Sequence, residues 1–211
     1  MRRSTTSSSS VRSIDTPVGE ARVDIRRGTS TRVTLVLGHG AGGGVTAPDL
    51  VAAAEAARAE QVSVALVEQP YRVAGRRAPA PARQLDGAWI TVVAELRAGR
   101  LKGLPLIVGG RSLGARVACR TAADADAIAV LCLAFPLLPP RRGKPPESRL
   151  PELDAVTVPV LVVQGERDRF GIPPASASRE VVVVPGDHSL RTDAQAVCTA
   201  VREWLSAVPT E

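Results

Sequence analysis

Leu104-Pro105-Leu106-Ile107-Val108-Gly109-Gly110-Arg111-Ser112-Leu113-Gly114-Ala115-Arg116 decides how this chain folds. A short apolar run is followed by Gly110-Arg111-Ser112-Leu113-Gly114, which fits Gly-x-Ser-x-Gly, and then by a helical pattern. Strand, tight turn and helix in that order place a serine at the tip of a strained turn, where it is exposed and aimed. A serine hydroxyl is a weak nucleophile until a neighbouring base takes its proton. The glycines at 110 and 114 suit a turn in which strand and helix pack too closely for side chains. Five residues alone are a weak signal, so the reading depends on partners for Ser112 further along the chain.

Two later blocks supply them. Asp168 lies in Gln164-Gly165-Glu166-Arg167-Asp168, and His188 in Gly186-Asp187-His188-Ser189. Both lie just beyond apolar runs, at the strand ends where open α/β sheets carry their reactive groups. Ser, then Asp, then His is the chain order of the α/β-hydrolase triad. In that frame Ser112 is the nucleophile, His188 the base and Asp168 the acid that holds His188 in the right tautomer. Glu166 competes with Asp168 from the same loop. Asp187 is less suited, because a residue cannot easily curl back onto the ring of its neighbour.

The chain has two histidines, and the second, His39, lies in Gly38-His39-Gly40-Ala41-Gly42. Such a loop after an early strand supplies one N–H of an oxyanion hole. The expected donors are the amides of Ala41 and Leu113, with His39, Gly40 and Gly42 shaping the loop. Gly42-Gly43-Gly44 lacks the Gly-Lys-Ser/Thr of a phosphate loop, and its spacing is not that of a dinucleotide fingerprint. Tyr71 and Arg111 are candidate substrate contacts, and an acidic partner inside the protein is the competing reading for Arg111.

Apolar runs at 21–26, 32–37, 62–67, 105–109, 128–134, 158–163 and 180–184 predict about seven strands. Patterns of helical spacing at 49–59, 84–98, 113–123 and 194–205 alternate with them. This alternation predicts an α/β fold, a mostly parallel sheet flanked by helices. The first two strands of larger proteins of this architecture are expected to be reduced. Residues 137–151 are proline-rich, basic and without period, too short for a lid domain, so minimal or no lid is expected.

At 211 residues and 45% hydrophobic, the chain suits one domain with a buried core. Residues 17–208 are assigned to it, and the Ser/Thr-rich residues 1–16 to a disordered tail without the apolar stretch of a signal peptide. Aromatic residues make up only 2%, which leaves the core to Val, Leu, Ala and Ile. No apolar run reaches the roughly 18 residues of a membrane span, so no membrane partner is expected. The net charge of +6 is carried by scattered arginine pairs rather than one stripe, so no nucleic-acid partner is expected either. Cys119, Cys132 and Cys198 each sit in an apolar segment and read as buried free thiols of a reducing, cytoplasmic protein. No Cys/His spacing suggests a metal, and no cofactor is implied.

Taken together, Gly38 to Gly43, Gly109 to Arg116, Phe135-Pro136-Leu137 with its basic proline tract, and Gln164 to Gly171 resemble one group of proteins. It comprises the small α/β hydrolases related to testis-expressed protein thirty and to the third regulatory subunit of the NSL complex, near the dienelactone hydrolases. The resemblance runs from about Val33 to Leu205. It implies a hydrolase, although some relatives lack the nucleophile and act as scaffolds. Here Ser112, Asp168 and His188 match the catalytic positions, with serine where dienelactone hydrolases carry cysteine. The expectation is a serine hydrolase for a small ester or thioester. A non-catalytic scaffold of the same fold and an acyltransferase are the alternatives.

Overall fold

The computed structural model describes residues 9–28, 31–99, 101–140, 143 and 145–209. Its strands are β1 (Ser9–Thr16), β2 (Gly19–Arg26), β3 (Thr34–Gly38), β4 (Ser63–Glu68), β5 (Leu106–Arg111), β6 (Ala129–Leu133), β7 (Val160–Gly165) and β8 (Arg179–Val184). They form one sheet in the order β1-β2-β4-β3-β5-β6-β7-β8. From β4 to β8 in that order neighbours are parallel, whereas β2 is antiparallel to both β1 and β4.

The inner strands are apolar throughout because helices cover both faces. Leu35, Leu37, Ile107, Leu131 and Leu161 point to one face and pack with α1 (Pro48–Ala59) and α6 (Ala194–Ala207). Val36, Val108, Val130 and Val162 point to the other and pack with α3 (Ala82–Ala98) and α4 (Leu113–Thr121). Each such Val or Leu, fully buried, contributes about 1.5–3 kcal/mol. Trp89 on α3 is fully buried and is one of the few aromatic residues in this aliphatic core.

The sheet has eight strands rather than about seven, and its first two are not reduced. Residues 9–16, assigned from sequence to a disordered tail, form β1; residues 1–8 of that tail lie outside the described residues. Thr16 pairs with Gly19 across the two-residue loop Pro17-Val18, and Gly19 takes a φ of 117° there. β1 escapes composition-based reading because backbone pairing to β2 forms it. Val11 is exposed, and only Ile14 packs on the core.

Two short helices, α2 (Pro70–Val73) and α5 (Leu150–Asp154), replace expected loops. Each has proline in its first turn, which suits a helix start, and neither is long enough to show a period. α5 is fixed to α4 by Arg116 Nε and Nη2 on Glu152 Oε2 and Oε1, at 2.8 and 2.5 Å. The far end of the segment after β6 is thereby docked beside α4. Cys119 and Cys132 are buried free thiols as expected, but Cys198 is half-exposed. The buried stripe of α6 centres on Val197, Val201 and Trp204, which leaves position 198 at its rim.

Candidate active site

β3, β5, β7 and β8 all end at the same edge of the sheet, and each end carries one part of the site. After β5, Ser112 has φ 51° and ψ −103°, a conformation that L side chains rarely adopt. Its amide donates to Leu133 O at 2.8 Å, which ties the turn to β6. Gly38 pairs with Gly110 in register, and a Cβ at either Gly110 or Gly114 would overlap the Gly38 carbonyl. The two glycines therefore let β3 and α4 close on the turn and hold the serine at its tip.

His188, from the loop after β8, reaches Ser112 Oγ through Nε2 at 3.0 Å and Asp168 Oδ2 through Nδ1 at 2.8 Å. An ionised carboxylate only accepts, so Nδ1–H donates to Asp168 and the Nε2 lone pair faces the serine hydroxyl. The Asp168 side chain is fully buried. Its Oδ1 accepts the Phe170 amide at 2.9 Å, and its Oδ2 also accepts Gln164 Nε2 at 2.7 Å. The Phe170 ring stands edge-on to His188 with centroids 4.4 Å apart.

Gln164 is the residue that sequence reasoning missed. Its amide also bonds both N–H and C=O of Phe135, at 2.9 and 3.0 Å, and the Gly171 carbonyl at 3.0 Å. A lone polar residue closing an apolar strand was the available signal. The rival acids are engaged elsewhere. Glu166 pairs with Arg167 at 2.7 Å. Asp187 accepts the hydroxyl and amide of Ser189, which hold its exposed carboxyl below the usual range.

The loop after β3 faces the elbow. Leu113 is the first residue of α4, and its amide has no helical acceptor by geometry. Among the described residues neither the Leu113 nor the Ala41 amide donates to a protein acceptor. His39 Nδ1 donates to Gly40 O at 2.8 Å, and its Nε2 accepts the Gln69 amide at 3.0 Å, so the ring is the neutral Nδ1–H tautomer. Gly43 N–H bonds back to Gly40 O at 3.2 Å and closes a tight turn around Gly42. Tyr71 sits on α2 with its ring turned inward, 4% exposed. Burial pushes its hydroxyl up to about 12, and it donates to Ala41 O at 3.0 Å. It braces the loop from inside the protein.

Burial also pushes the His39 imidazole below the ordinary value of 6.5, against smaller raising effects of the Gly40 carbonyl and Glu68. The unfolded chain therefore takes up this proton first as pH falls. The stability His39 contributes is complete above about 6.5 and is lost as pH falls from there through its lower folded-state value. The urea midpoint is expected to drop between about pH 7.5 and 5.5, with a shallower drop in His39→Gln. Equal slopes in the two proteins would remove His39 as the cause.

Arg111, the other candidate substrate contact, is likewise engaged inside the protein. Its Nε lies 2.8 Å from Asp49 Oδ2, and its Nη2 donates to His188 O at 3.0 Å. Among the described residues no group of three or more His, Cys, Asp or Glu is placed to hold a metal ion, and no helix is long and apolar enough to cross a membrane.

Comparison with known proteins agrees with this architecture. A serine hydrolase homologue from Coxiella burnetii superposes with a TM-score of 0.77 at 18% identity, covering 96% of this chain and 100% of that one. An α/β serine hydrolase without lid from Xanthomonas campestris gives 0.73 at 22% identity, covering 97% and 98%. A dienelactone hydrolase from Anabaena variabilis gives 0.74 at 16%, covering 96% of each chain. These similarities establish the fold. No curated protein matches the chain significantly. The model of the alpha/beta hydrolase domain matches residues 31–209, and the chain belongs to that family of hydrolases.

Proposed function

We propose that the protein is a serine hydrolase that cleaves a carboxylic ester or thioester through an acyl-enzyme on Ser112. The reading is supported above all by one unbroken line of contacts, Asp168 Oδ2 to His188 Nδ1 at 2.8 Å and His188 Nε2 to Ser112 Oγ at 3.0 Å. Ser112 Oγ attacks the acyl carbon while its proton passes to His188 Nε2. The Ala41 and Leu113 amides donate to the oxyanion, which they hold more strongly than the ground-state carbonyl oxygen. The C–O or C–S bond then breaks, and His188 returns the proton to the departing alkoxide or thiolate. Water, deprotonated by His188, attacks the acyl-serine, releases the acid and restores the hydroxyl.

An ester or thioester suits the site better than an amide, because such leaving groups need least assistance. The docking of α5 on α4 supports a site without a lid, open to small acyl compounds in water. Nucleic acid and membrane surfaces play no part in this reading. The setting proposed is reducing and cytoplasmic, on the odd number and scattered placement of the three cysteines in the sequence. Within the family, the motif set from Gly38 to Gly171 favours kinship with the small hydrolases resembling testis-expressed protein thirty.

A fluorophosphonate probe tests the proposal. The wild type is expected to label with one adduct at Ser112, and His188→Ala is expected to label slower by two orders of magnitude or more, as loss of the base does in serine hydrolases. A folded wild type that takes no label would overturn the catalytic reading in favour of a scaffold.

A further inference from the structure

The loops that meet at Ser112 leave three different strands, and a hydrolase of this kind works only if they hold a common register. We propose that Arg111 is the positioning residue that sets it, its guanidinium clamping the His188 loop and the oxyanion loop against the elbow from a buried anchor on Asp49. The inference rests on the serine-hydrolase reading of the site.

Arg111 is the last residue of β5 and the residue before Ser112, so its backbone moves with the nucleophile. Each nitrogen of its guanidinium has a different neighbour. Nη2 donates to the backbone carbonyl of His188 itself at 3.0 Å. Nη1 lies beside Gly40, where an added Cβ would come within 2.6 Å of it. Nε meets Asp49 Oδ2 at 2.8 Å. Asp49 is fully buried in the first turn of α1, and its Oδ1 accepts the Leu50 amide at 3.0 Å. α1 begins just beyond the Gly42–Gly44 turn, so the anchor also fixes the far end of the oxyanion loop. A planar fork holds its donors in fixed directions toward separate partners, whereas a lysine ammonium gathers its donors on one atom at the end of a flexible stem.

Two simpler roles fit less well. The Arg111 side chain is 17% exposed and its fork faces inward, so little of it remains to meet a substrate anion. A purely stabilising ion pair does not explain the bond to the carbonyl of His188. Buried ion pairs are in any case weak contributors to stability, and apolar residues of similar volume often replace them without loss.

That property supplies the test. The double variant Arg111→Met with Asp49→Leu removes both charges together and leaves no buried carboxylate unpaired. It is expected to melt close to the wild type. Its kcat and its rate of fluorophosphonate labelling are expected to fall roughly 30- to 100-fold with KM within about threefold, since ångström-scale misplacement of reacting groups costs about that much. Arg111→Lys retains a charge for Asp49 but not the fork, and decides the matter if the double variant does not fold. It is expected to fold and to lose roughly tenfold or more in kcat. Wild-type kcat and labelling rate in either folded variant would overturn the positioning role. Failure of the wild type to label at Ser112 would instead overturn the hydrolase reading beneath it.

Discussion

A protein with alanine in place of Ser112 is expected to fold normally and to turn over an activated ester roughly 10⁴- to 10⁶-fold more slowly, as loss of a triad nucleophile does elsewhere. On the proposed mechanism no acyl-enzyme then forms, and the two amides proposed to hold the oxyanion give only weak catalysis alone. The same position yields a second, opposite result. Ser112 is held at φ 51° and ψ −103°, which a residue with a Cβ resists and glycine accepts. Strain of this kind costs on the order of 1–3 kcal/mol, and glycine gives back part of the relief through its greater unfolded-state freedom. Ser112→Gly is therefore expected to melt about 2–4 °C above Ser112→Ala, corresponding to about 1 kcal/mol at this size. Both variants should be equally inactive. Turnover near wild type in Ser112→Ala would remove Ser112 as nucleophile, and equal melting points would remove the strain.

Legibility in the sequence divides along physical lines. Strands β2 to β8 are visible because burial on one or both faces writes an apolar run into each of them. Ser112, Asp168 and His188 were legible because each sits at a strand end in a glycine-marked turn, and the fold brings all three within hydrogen-bond reach. β1 was not legible, since an edge strand held by backbone pairing needs no apolar side chains, and Ser-Ser-Val-Arg-Ser-Ile-Asp-Thr looks like a solvated tail. What Gln164, Asp49 and Tyr71 do was hidden for another reason. Their roles depend on partners 4 to 62 residues away, in Asp168, Arg111 and Ala41, and no local period encodes such pairings. Arg111 shows the same limit: its position in the elbow was evident, but the direction of its guanidinium belongs to the tertiary structure.

The missed residue sharpens the remaining large effect, which is that of Asp168→Asn. Three donors converge on the carboxylate: Phe170 N–H at Oδ1, and Gln164 Nε2 and His188 Nδ1 at Oδ2. An asparagine offers one oxygen and one amide, so one side must meet a donor with a donor. If the amide turns toward His188, it also faces Gln164, and the ring must flip to the Nε2–H tautomer, which cannot take the proton of Ser112. If it turns toward Phe170, a buried backbone N–H loses its acceptor, at a cost of about 1–3 kcal/mol. Gln164 is itself held by both backbone groups of Phe135, so it cannot rotate to relieve the conflict. In either orientation the charge opposite the imidazolium is gone. Asp168→Asn is expected to lower kcat by roughly 10⁴-fold, while Asp187→Asn, whose exposed carboxylate bonds Ser189, stays within about threefold of the wild type. The comparison is made on matched samples with ester turnover and thermal melting. If Asp187→Asn is the variant that loses turnover, the acid assignment moves to Asp187. If Asp168→Asn keeps turnover within tenfold, the buried carboxylate at 168 serves packing rather than catalysis.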